Sequence, residues 1–177
     1  MTGPCPRGGG EVLGEMRIRS GSDADLDPLV EVFGERSFFG DCLAKQQAGG
    51  SVLLVAWLDG WPVGDVFLNS GPADDPEVRR HLPGVPTLVH LEVVGRLQRR
   101  GIGTALVLAG EDTARRLGRD RIALGVGLDN PGPRRLYQRL GYTDWGHGHI
   151  VTSWREHRPD SAPVTVTETI DMLVKRL

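Results

Sequence analysis

The segment 88–103, LVHLEVVGRLQRRGIG, constrains the fold of this chain more than any other. An apolar strand is predicted to end at Val94, and after a short turn the glycines Gly101 and Gly103 open an amphipathic helix. The backbone N–H groups and the dipole at a helix start attract anions, and glycine lets a bulky anion approach closely. The segment therefore predicts a strand–turn–helix unit that binds an anion, and a pyrophosphate group fits it best.

The same glycines do not fit the common nucleotide-binding motifs. The sequence has no GxxxxGK[ST] run, which a Walker loop requires. A dinucleotide fingerprint, GxGxxG, would need glycine at position 106, where the chain has Leu106. The segment also lies past the middle of the chain, behind a predicted antiparallel hairpin at Asp59-Gly60. These features disfavour both nucleotide-binding classes.

The rest of the chain predicts a mixed α/β domain, that is, helices on a mixed sheet. Strands are predicted at 16–20, 51–58, 61–68, 87–94, 121–128, 142–154 and 164–175. Helices are predicted at 24–33, within 35–48, at 103–117 and at 131–140, with one helical turn near 77–81. This order gives antiparallel strands early and one β-α-β crossover in the middle.

Composition limits the class of protein. The 177 residues favour one domain, 16–177, behind a Gly/Pro-rich leader at 1–15 that is expected to be disordered, and Met16 is an alternative start. The net charge of −2 and the scattered arginines argue against a nucleic-acid partner. An apolar run of about 18 residues, as a membrane span needs, is absent. The cysteines Cys5 and Cys42 make no disulfide framework, so a cytoplasmic location is expected.

Two motifs together give the chain a family resemblance. The hexapeptide QRRGIG at 98–103 fits Q/R-x-x-G-x-G/A, the acyl-CoA pyrophosphate signature of the GNAT superfamily of N-acyltransferases, which this chain resembles. The segment 130–142, NPGPRRLYQRLGY, resembles that family's N-x-x-A-x-x-L-Y-x-x-x-G-F. It departs from the pattern by Pro133 in place of alanine and Tyr142 in place of phenylalanine. Motifs and element order agree over roughly 16–154.

The resemblance implies a GNAT-like fold with a mostly antiparallel sheet of about six to seven strands and about four helices. It implies acetyl-CoA as co-substrate, and an amine that attacks the thioester directly in a ternary complex. In the family, the pantetheine arm enters where the strand at 121–128 splays from the preceding one. The small residues Ala123, Gly125 and Gly127 on one strand face fit that arrangement, although packing under a helix would explain them equally well. A metal ion is not expected, and a homodimer is an open alternative.

The resemblance and the local charge assign the CoA site to one group of residues. A backbone N–H near Val93 or Val94, at a bulge that ends the strand, is the family's usual donor to the thioester carbonyl. Asn130 is either a helix N-cap or a contact of the pantetheine. The candidate CoA-binding residues are Val93, Val94, Gln98, Arg99, Arg100, Gly101, Ile102, Gly103, Thr104, Asn130 and Arg134.

Two residues are candidates for catalysis. Tyr137 matches the tyrosine that protonates the departing thiolate in the family. Glu92 is the first candidate for the general base, because strand alternation places it on one face with His90 and Val94. The opposite face is then apolar, and it is formed by Val89, Leu91 and Val93.

The acceptor and the acyl chain remain open at this stage. An acidic lip at Asp74, Asp75 and Glu77 would attract a cationic amine, although a solvated loop is the plainer explanation. The pair His147 and His149 has no third metal ligand at a fitting spacing and is expected near the acceptor cleft. Phe38 and Phe39 fit the core better than a substrate platform. A longer acyl group and a non-catalytic acyl-CoA sensor are the alternative functions.

Overall fold

The computed structural model describes the backbone of residues 15–156 and 164–177, and the side chains of 15–153 and 164–177. The predicted leader, apart from Glu15, lies outside the described residues, and so does most of the loop before the last strand.

Seven strands and five α-helices make up the described fold. The strands are β1 Arg17–Ser20, β2 Val52–Leu58, β3 Trp61–Asn69, β4 Thr87–Val93, β5 Arg121–Gly127, β6 Thr143–Glu156 and β7 Val164–Arg176. The helices are α1 Leu26–Phe33, α2 Arg36–Ala48, α3 Pro76–His81, α4 Ile102–Arg116 and α5 Pro131–Arg139. Each predicted element is present, and the helical turn predicted near 77–81 is a short helix.

The strands form one mixed sheet in the order β1-β2-β3-β4-β5-β7-β6. Every neighbouring pair is antiparallel except β4 and β5, which are parallel and joined through α4. This arrangement confirms the prediction of a mostly antiparallel sheet with a single β-α-β crossover. No helix in the described part of the chain is long and apolar enough to cross a membrane.

The parallel pair is short, and this opens the sheet in the middle. Only Thr87 and Leu88 of β4 pair with β5, opposite Ala123 and Leu124. Beyond Leu88 the two strands pair no further, although β4 continues to Val93 and β5 to Gly127. The splayed edges leave a gap that begins near the middle of the sheet, as the family resemblance implies.

Helices cover both faces of the sheet and fix the walls of this gap. On one face, α4 buries Leu106 and Val107 against the sheet, and an added Cβ at Gly110 would lie 2.7 Å from the Leu88 side chain. That close approach needs glycine. On the other face, α1 and α2 bury Leu29 and Phe39 against β2 and β3. The core cluster under α4 includes residues from strands on both sides of the gap.

Candidate active site

The loop from β4 to α4 leads into a helix start whose backbone donors are uncapped. The helix begins behind Gly101, which has a φ of 86° and provides no side-chain cap. By helix geometry, the first-turn N–H groups of residues 102–104 then lack acceptors within the helix. The Gln98 side chain donates a hydrogen bond to the Val93 carbonyl at 3.1 Å, so it ties the loop to the end of β4. The helix start thus faces solvent with uncapped donors, which is the arrangement that binds phosphate groups.

The side chains around this helix start differ in exposure. Gln98, Arg99 and Arg100 are exposed, and Thr104 is half-buried. Ile102 is 6% exposed and packs into the core beneath α4, so only its backbone can contribute to the anion site. The site is therefore built from main-chain donors with two arginines beside them.

The two candidate backbone donors at the end of β4 are not equivalent. The Val94 N–H donates to the Val63 carbonyl at 3.0 Å, so the prediction for Val94 as the free donor is wrong. Because N–H directions alternate along a strand, the Val93 N–H points to the opposite edge, towards the gap.

The predicted bulge lies earlier in β4 than expected. The pairing of β3 with β4 changes register between Asp65 and Phe67, and His90 has a φ of 56° at this point. The extra residue shifts the alternation, so Val89 pairs with Phe67 on the same sheet face as Glu92. The prediction of Val89 on the opposite, apolar face is therefore wrong, and its side chain is 38% exposed.

The bulge places His90 in a cluster of carboxylates. Its Nδ1 lies 2.9 Å from an oxygen of Asp65, which is fully buried on β3. Its Nε2 lies 3.2 Å from Glu35 and 3.6 Å from Glu92. The ring of Phe38 lies against the imidazole with centroids 4.1 Å apart, so Phe38 is a wall of this site, whereas Phe39 belongs to the core. We call these four ionisable residues, Glu35, Asp65, His90 and Glu92, the β4 cluster.

Burial and charge act against each other in the β4 cluster. Burial raises the pKa of Asp65 to about 6, although its hydrogen bond to His90 opposes the shift. Burial alone would lower the pKa of His90, but the hydrogen bond to Asp65 and the charges of Asp65, Glu35 and Glu92 together raise it. The imidazole therefore exchanges its proton at a pH above the ordinary histidine range.

The β4 cluster does not need a metal ion to explain it. Ligand-type atoms of Asp65, His90 and Glu92 lie within 4.8 Å of one another. However, the hydrogen bond between Asp65 and Nδ1 of His90 already uses two of these groups. The geometry is that of a hydrogen-bonded imidazole–carboxylate pair. Strand alternation had indicated Glu92 beside His90, whereas the only sequence signal for Asp65 was an aspartate inside the apolar strand WPVGDVFLN.

A cavity of about 730 Å³ joins the β4 cluster to α5. Glu35, Phe38 and His90 line one part of it, and Tyr137 lines another. Tyr137 is only 7% exposed, and burial raises its pKa to about 12, which keeps the phenol protonated at neutral pH. The predicted proton donor Tyr137 thus shares a cavity with His90 of the β4 cluster.

The cavity walls carry an excess of negative charge. Besides Glu35, four carboxylate residues line the cavity, against Lys45 and His90 as its basic residues: Asp41, Asp74, Asp75 and Glu168. The predicted acidic lip is present in part. Asp75 accepts backbone hydrogen bonds at the start of α3, and Glu77 lies beside His81. The charge balance favours a cationic ligand.

The glycines of β5 make room for side chains of β7. An added Cβ at Gly125 would lie 2.6 Å from Ile170, and one at Gly127 would lie 2.0 Å from Glu168. The side chains of Ile170 and Glu168 thus lie over the face of β5 that carries only small residues. From the sequence, this face was expected to contact either a ligand or a helix. Glu168 is thereby held over β5 at the wall of the cavity.

The structure changes the interpretation of several predicted residues at α5 and on β6. Arg134 forms an ion pair with Asp171, which also binds His149, so the prediction of Arg134 as a phosphate ligand is not supported. Asn130 stands at the N-cap of α5 without a side-chain capping bond, and it is exposed. His147 stacks on His81 with centroids 3.8 Å apart.

Comparisons with known proteins agree with this architecture. The model of the acetyltransferase (GNAT) family matches residues 18–142. An uncharacterised N-acetyltransferase of Methanocaldococcus jannaschii is 31% identical over 153 residues, which cover 77% of this chain and 63% of that protein. The match therefore spans less than two thirds of the relative's length.

Solved structures show the same fold. A putative acetyltransferase from Salmonella typhimurium, solved with acetyl-CoA, has a TM-score of 0.67 at 17% identity and covers 92% of this chain and 94% of its own. A ribosomal-protein-alanine N-acetyltransferase from Brucella melitensis has a TM-score of 0.68 at 19% identity, with coverage of 91% and 99%. With the family match over most of the chain and the opened sheet described above, this protein belongs to the acetyltransferase (GNAT) family.

Proposed function

We propose that this protein transfers an acetyl group from acetyl-CoA to an amine of a small molecule or peptide. The observation that carries the proposal is the opening between β4 and β5. It lies between an uncapped helix start, which suits phosphates, and the acidic β4 cluster, which suits an ammonium group. A donor of acetyl groups and an acceptor amine can then meet in the shared cavity.

The residues at the helix start fit the pyrophosphate of CoA. The backbone N–H groups of residues 102–104 have no capping side chain, and Arg99 and Arg100 are exposed beside them. Gln98 contributes by holding the loop to Val93. Asn130 is exposed at the start of α5, and we place it beside the pantetheine arm.

The residues at the opening fit the reaction itself. The N–H group of Val93 faces the gap, where it can donate to a thioester oxygen as it gains negative charge. The amine nitrogen forms a bond to the carbonyl carbon, and the carbon–sulfur bond breaks. Tyr137, protonated within the cavity wall, donates a proton to the leaving sulfur. Glu92 lies on the amine side of the reaction.

Charge points to the class of acceptor. The carboxylates around the cavity outnumber its basic residues, and the β4 cluster adds Asp65 and Glu92. An ammonium group, which most amines carry at neutral pH, is stabilised by such surroundings. We therefore propose an acceptor that is cationic before the reaction and neutral at the acetylated nitrogen afterwards.

The test is a kinetic screen. A panel of diamines, aminoalkyl compounds and short peptides is incubated with acetyl-CoA, and the release of CoA thiol is followed for each. We expect release that depends on a cationic amine and initial rates that intersect when both substrates are varied. No amine-dependent release across the panel would contradict catalysis, and parallel lines would contradict direct attack, because they indicate a covalent intermediate.

A further inference from the structure

An acceptor amine must lose a proton before or during its attack on the thioester. Amines have a pKa of about 10, so at neutral pH nearly all of the acceptor is ammonium without a free electron pair. The site therefore needs a proton acceptor within hydrogen-bond reach of the bound nitrogen. Among the described residues that line the cavity, His90 is the one with a nitrogen base held by a buried partner.

The backbone at His90 indicates that its position is imposed by the surrounding structure. A φ of 56° is unfavourable for any residue with a Cβ, and histidine adopts it here inside a strand. The bulge moves the ring out of the regular alternation of β4, towards β3 and α2. Such strain persists only where neighbouring contacts hold it, and it occurs preferentially at functional sites.

Two contacts fix the orientation of the His90 ring. Nδ1 lies 2.9 Å from Oδ1 of Asp65, whose other oxygen, Oδ2, is buried and has no partner in the described part of the chain. The face of the ring lies against Phe38, and its edge meets Phe39 with centroids 6.0 Å apart. Asp65 thus selects the tautomer with the proton on Nδ1. The electron pair of the neutral ring is then on Nε2.

Nε2 points to where a cation would bind. Nε2 faces two carboxylates. One belongs to Glu35, the residue immediately before α2, and the other belongs to Glu92 of β4. Both side chains are about half-exposed, at 46% and 48%, so they can close around an incoming group. An ammonium between them would lie within reach of Nε2.

We infer that His90 accepts the proton of the acceptor ammonium through Nε2, that Asp65 is the positioning residue that orients it, and that Glu92 and Glu35 bind the ammonium. This inference rests on the proposed acetyl transfer. In the step, the N–H bond of the ammonium breaks and its proton forms a bond to Nε2. The freed electron pair of the amine attacks the thioester carbon. The imidazolium that results is stabilised by Asp65 and later returns the proton to solvent.

The inference assigns proton transfer to His90 and ammonium binding to Glu92. The sequence analysis had instead proposed Glu92 as the general base. Three carboxylates face the imidazole, those of Glu35, Asp65 and Glu92. The charged side chains of Asp41 and Lys45 on α2 line the same cavity at a greater distance from the ring. The negative charges favour the imidazolium and raise the pKa of His90. They also favour a bound ammonium, so a carboxylate can serve binding while the ring serves proton transfer.

The first test separates the two roles by variants. His90→Asn keeps a residue that tolerates the left-handed backbone, and we expect it to lower kcat at least tenfold with acetyl-CoA affinity unchanged. Glu92→Gln should raise the KM for the amine by about tenfold and change kcat less, because it removes charge from the binding site. His147→Gln is the matched control, since His147 is exposed and stacks on His81 away from the cavity lining, and its activity should equal that of the parent.

The second test uses the pH profile, which a merely structural role would not move. The kcat/KM of the parent should rise with pH, with a midpoint above the ordinary histidine pKa of about 6.5. Asp65→Asn removes a negative charge from the imidazolium, so the pKa of His90 falls and the midpoint should move to lower pH. The plateau should also fall several-fold, because the amide no longer fixes the tautomer. Ring resonances of His90 in an NMR titration should show the same direction without any substrate.

The outcomes are distinguishable. If the parent releases no CoA thiol with any amine, the proposed function fails, and the inference fails with it. If the parent is active but His90→Asn keeps its kcat and pH midpoint, only the inference is overturned. If the midpoint is unchanged in Asp65→Asn by both kinetics and NMR, Asp65 does not position His90.

Discussion

At the scale of residues, one buried aspartate organises the β4 cluster. Asp65 lies inside β3 with no exposure, and its charge is met by the ring of His90. Burying a carboxylate without such a partner would cost free energy, so removing His90 would also destabilise the buried Asp65. Burial raises the pKa of Asp65, and the surrounding carboxylates raise the pKa of His90, so the two groups titrate as a coupled pair rather than independently.

Tyr137 offers a residue-scale prediction with a matched control. Tyr137→Phe removes the proton donor to the leaving sulfur, so we expect turnover to fall about tenfold or more with acetyl-CoA affinity unchanged. Tyr142 is also buried and lies 6.0 Å away between ring centroids, but it does not line the cavity. Tyr142→Phe should therefore keep full turnover. Equal rates for the parent and both variants, measured by thiol release, would remove Tyr137 from the mechanism.

Sequence patterns indicated the surroundings of some site residues and misassigned those of others. A motif indicated Tyr137, which lines the cavity, and strand alternation indicated Glu92, which lies 3.6 Å from His90, and their catalytic roles stay predictions. Arg134 was misjudged because its partner, Asp171, lies on β7, 37 residues away. A guanidinium beside a predicted helix start resembles a phosphate ligand until the fold supplies a carboxylate. Long-range charge pairs of this kind cannot be read from local patterns.

At the scale of elements, the start of α4 carries the proposed pyrophosphate site. Gly101 precedes the helix with a φ of 86°, and Gly118 follows it with a φ of 72°. A Cβ at either position would meet no atom within 4 Å. The two glycines thus have similar backbone conformations and similar free space around them. They differ because Gly101 flanks the N-terminal end of the helix dipole and Gly118 flanks the C-terminal end.

This likeness provides an element-scale prediction. Gly101→Leu and Gly118→Leu should each lower the free energy of unfolding by about 1 kcal/mol, because both force a side chain into the left-handed region. Only Gly101→Leu should weaken acetyl-CoA binding, by tenfold or more, since its side chain covers the anion-binding end. The comparison needs a denaturation curve and a binding isotherm for each variant. Equal weakening by both, or by neither, would contradict a pyrophosphate site at the start of α4.

Elements were predictable from the sequence where the pattern was local. Strand and helix periods placed β4, α4 and α5 within a few residues, and glycines marked their ends. The bulge at His90 was not predictable, since it depends on how β4 pairs with β3. One extra residue there changed which face Val89 occupies and created the position of the imidazole.

At the scale of the whole molecule, function follows from a sheet that does not close. The order β1-β2-β3-β4-β5-β7-β6 places the only parallel pair of the described strands in the middle, and that pair ends after Leu88. The order of elements predicted a crossover, but how far β4 and β5 stay paired depends on packing between elements that are distant in the sequence. The core cluster under α4, for example, joins residues of β2 and β3 to residues of β5 and β7.

The most direct test of this account is a calorimetric titration of the protein with acetyl-CoA, with adenosine diphosphate and free pantetheine as partial ligands. We predict one acetyl-CoA per chain with a dissociation constant on the order of micromolar. Affinity should weaken as salt rises, because the helix start and its arginines bind phosphates. Each partial ligand should bind more weakly than acetyl-CoA. No measurable binding of acetyl-CoA would contradict the account, because the opened sheet and the start of α4 would then not be a site for the acetyl donor.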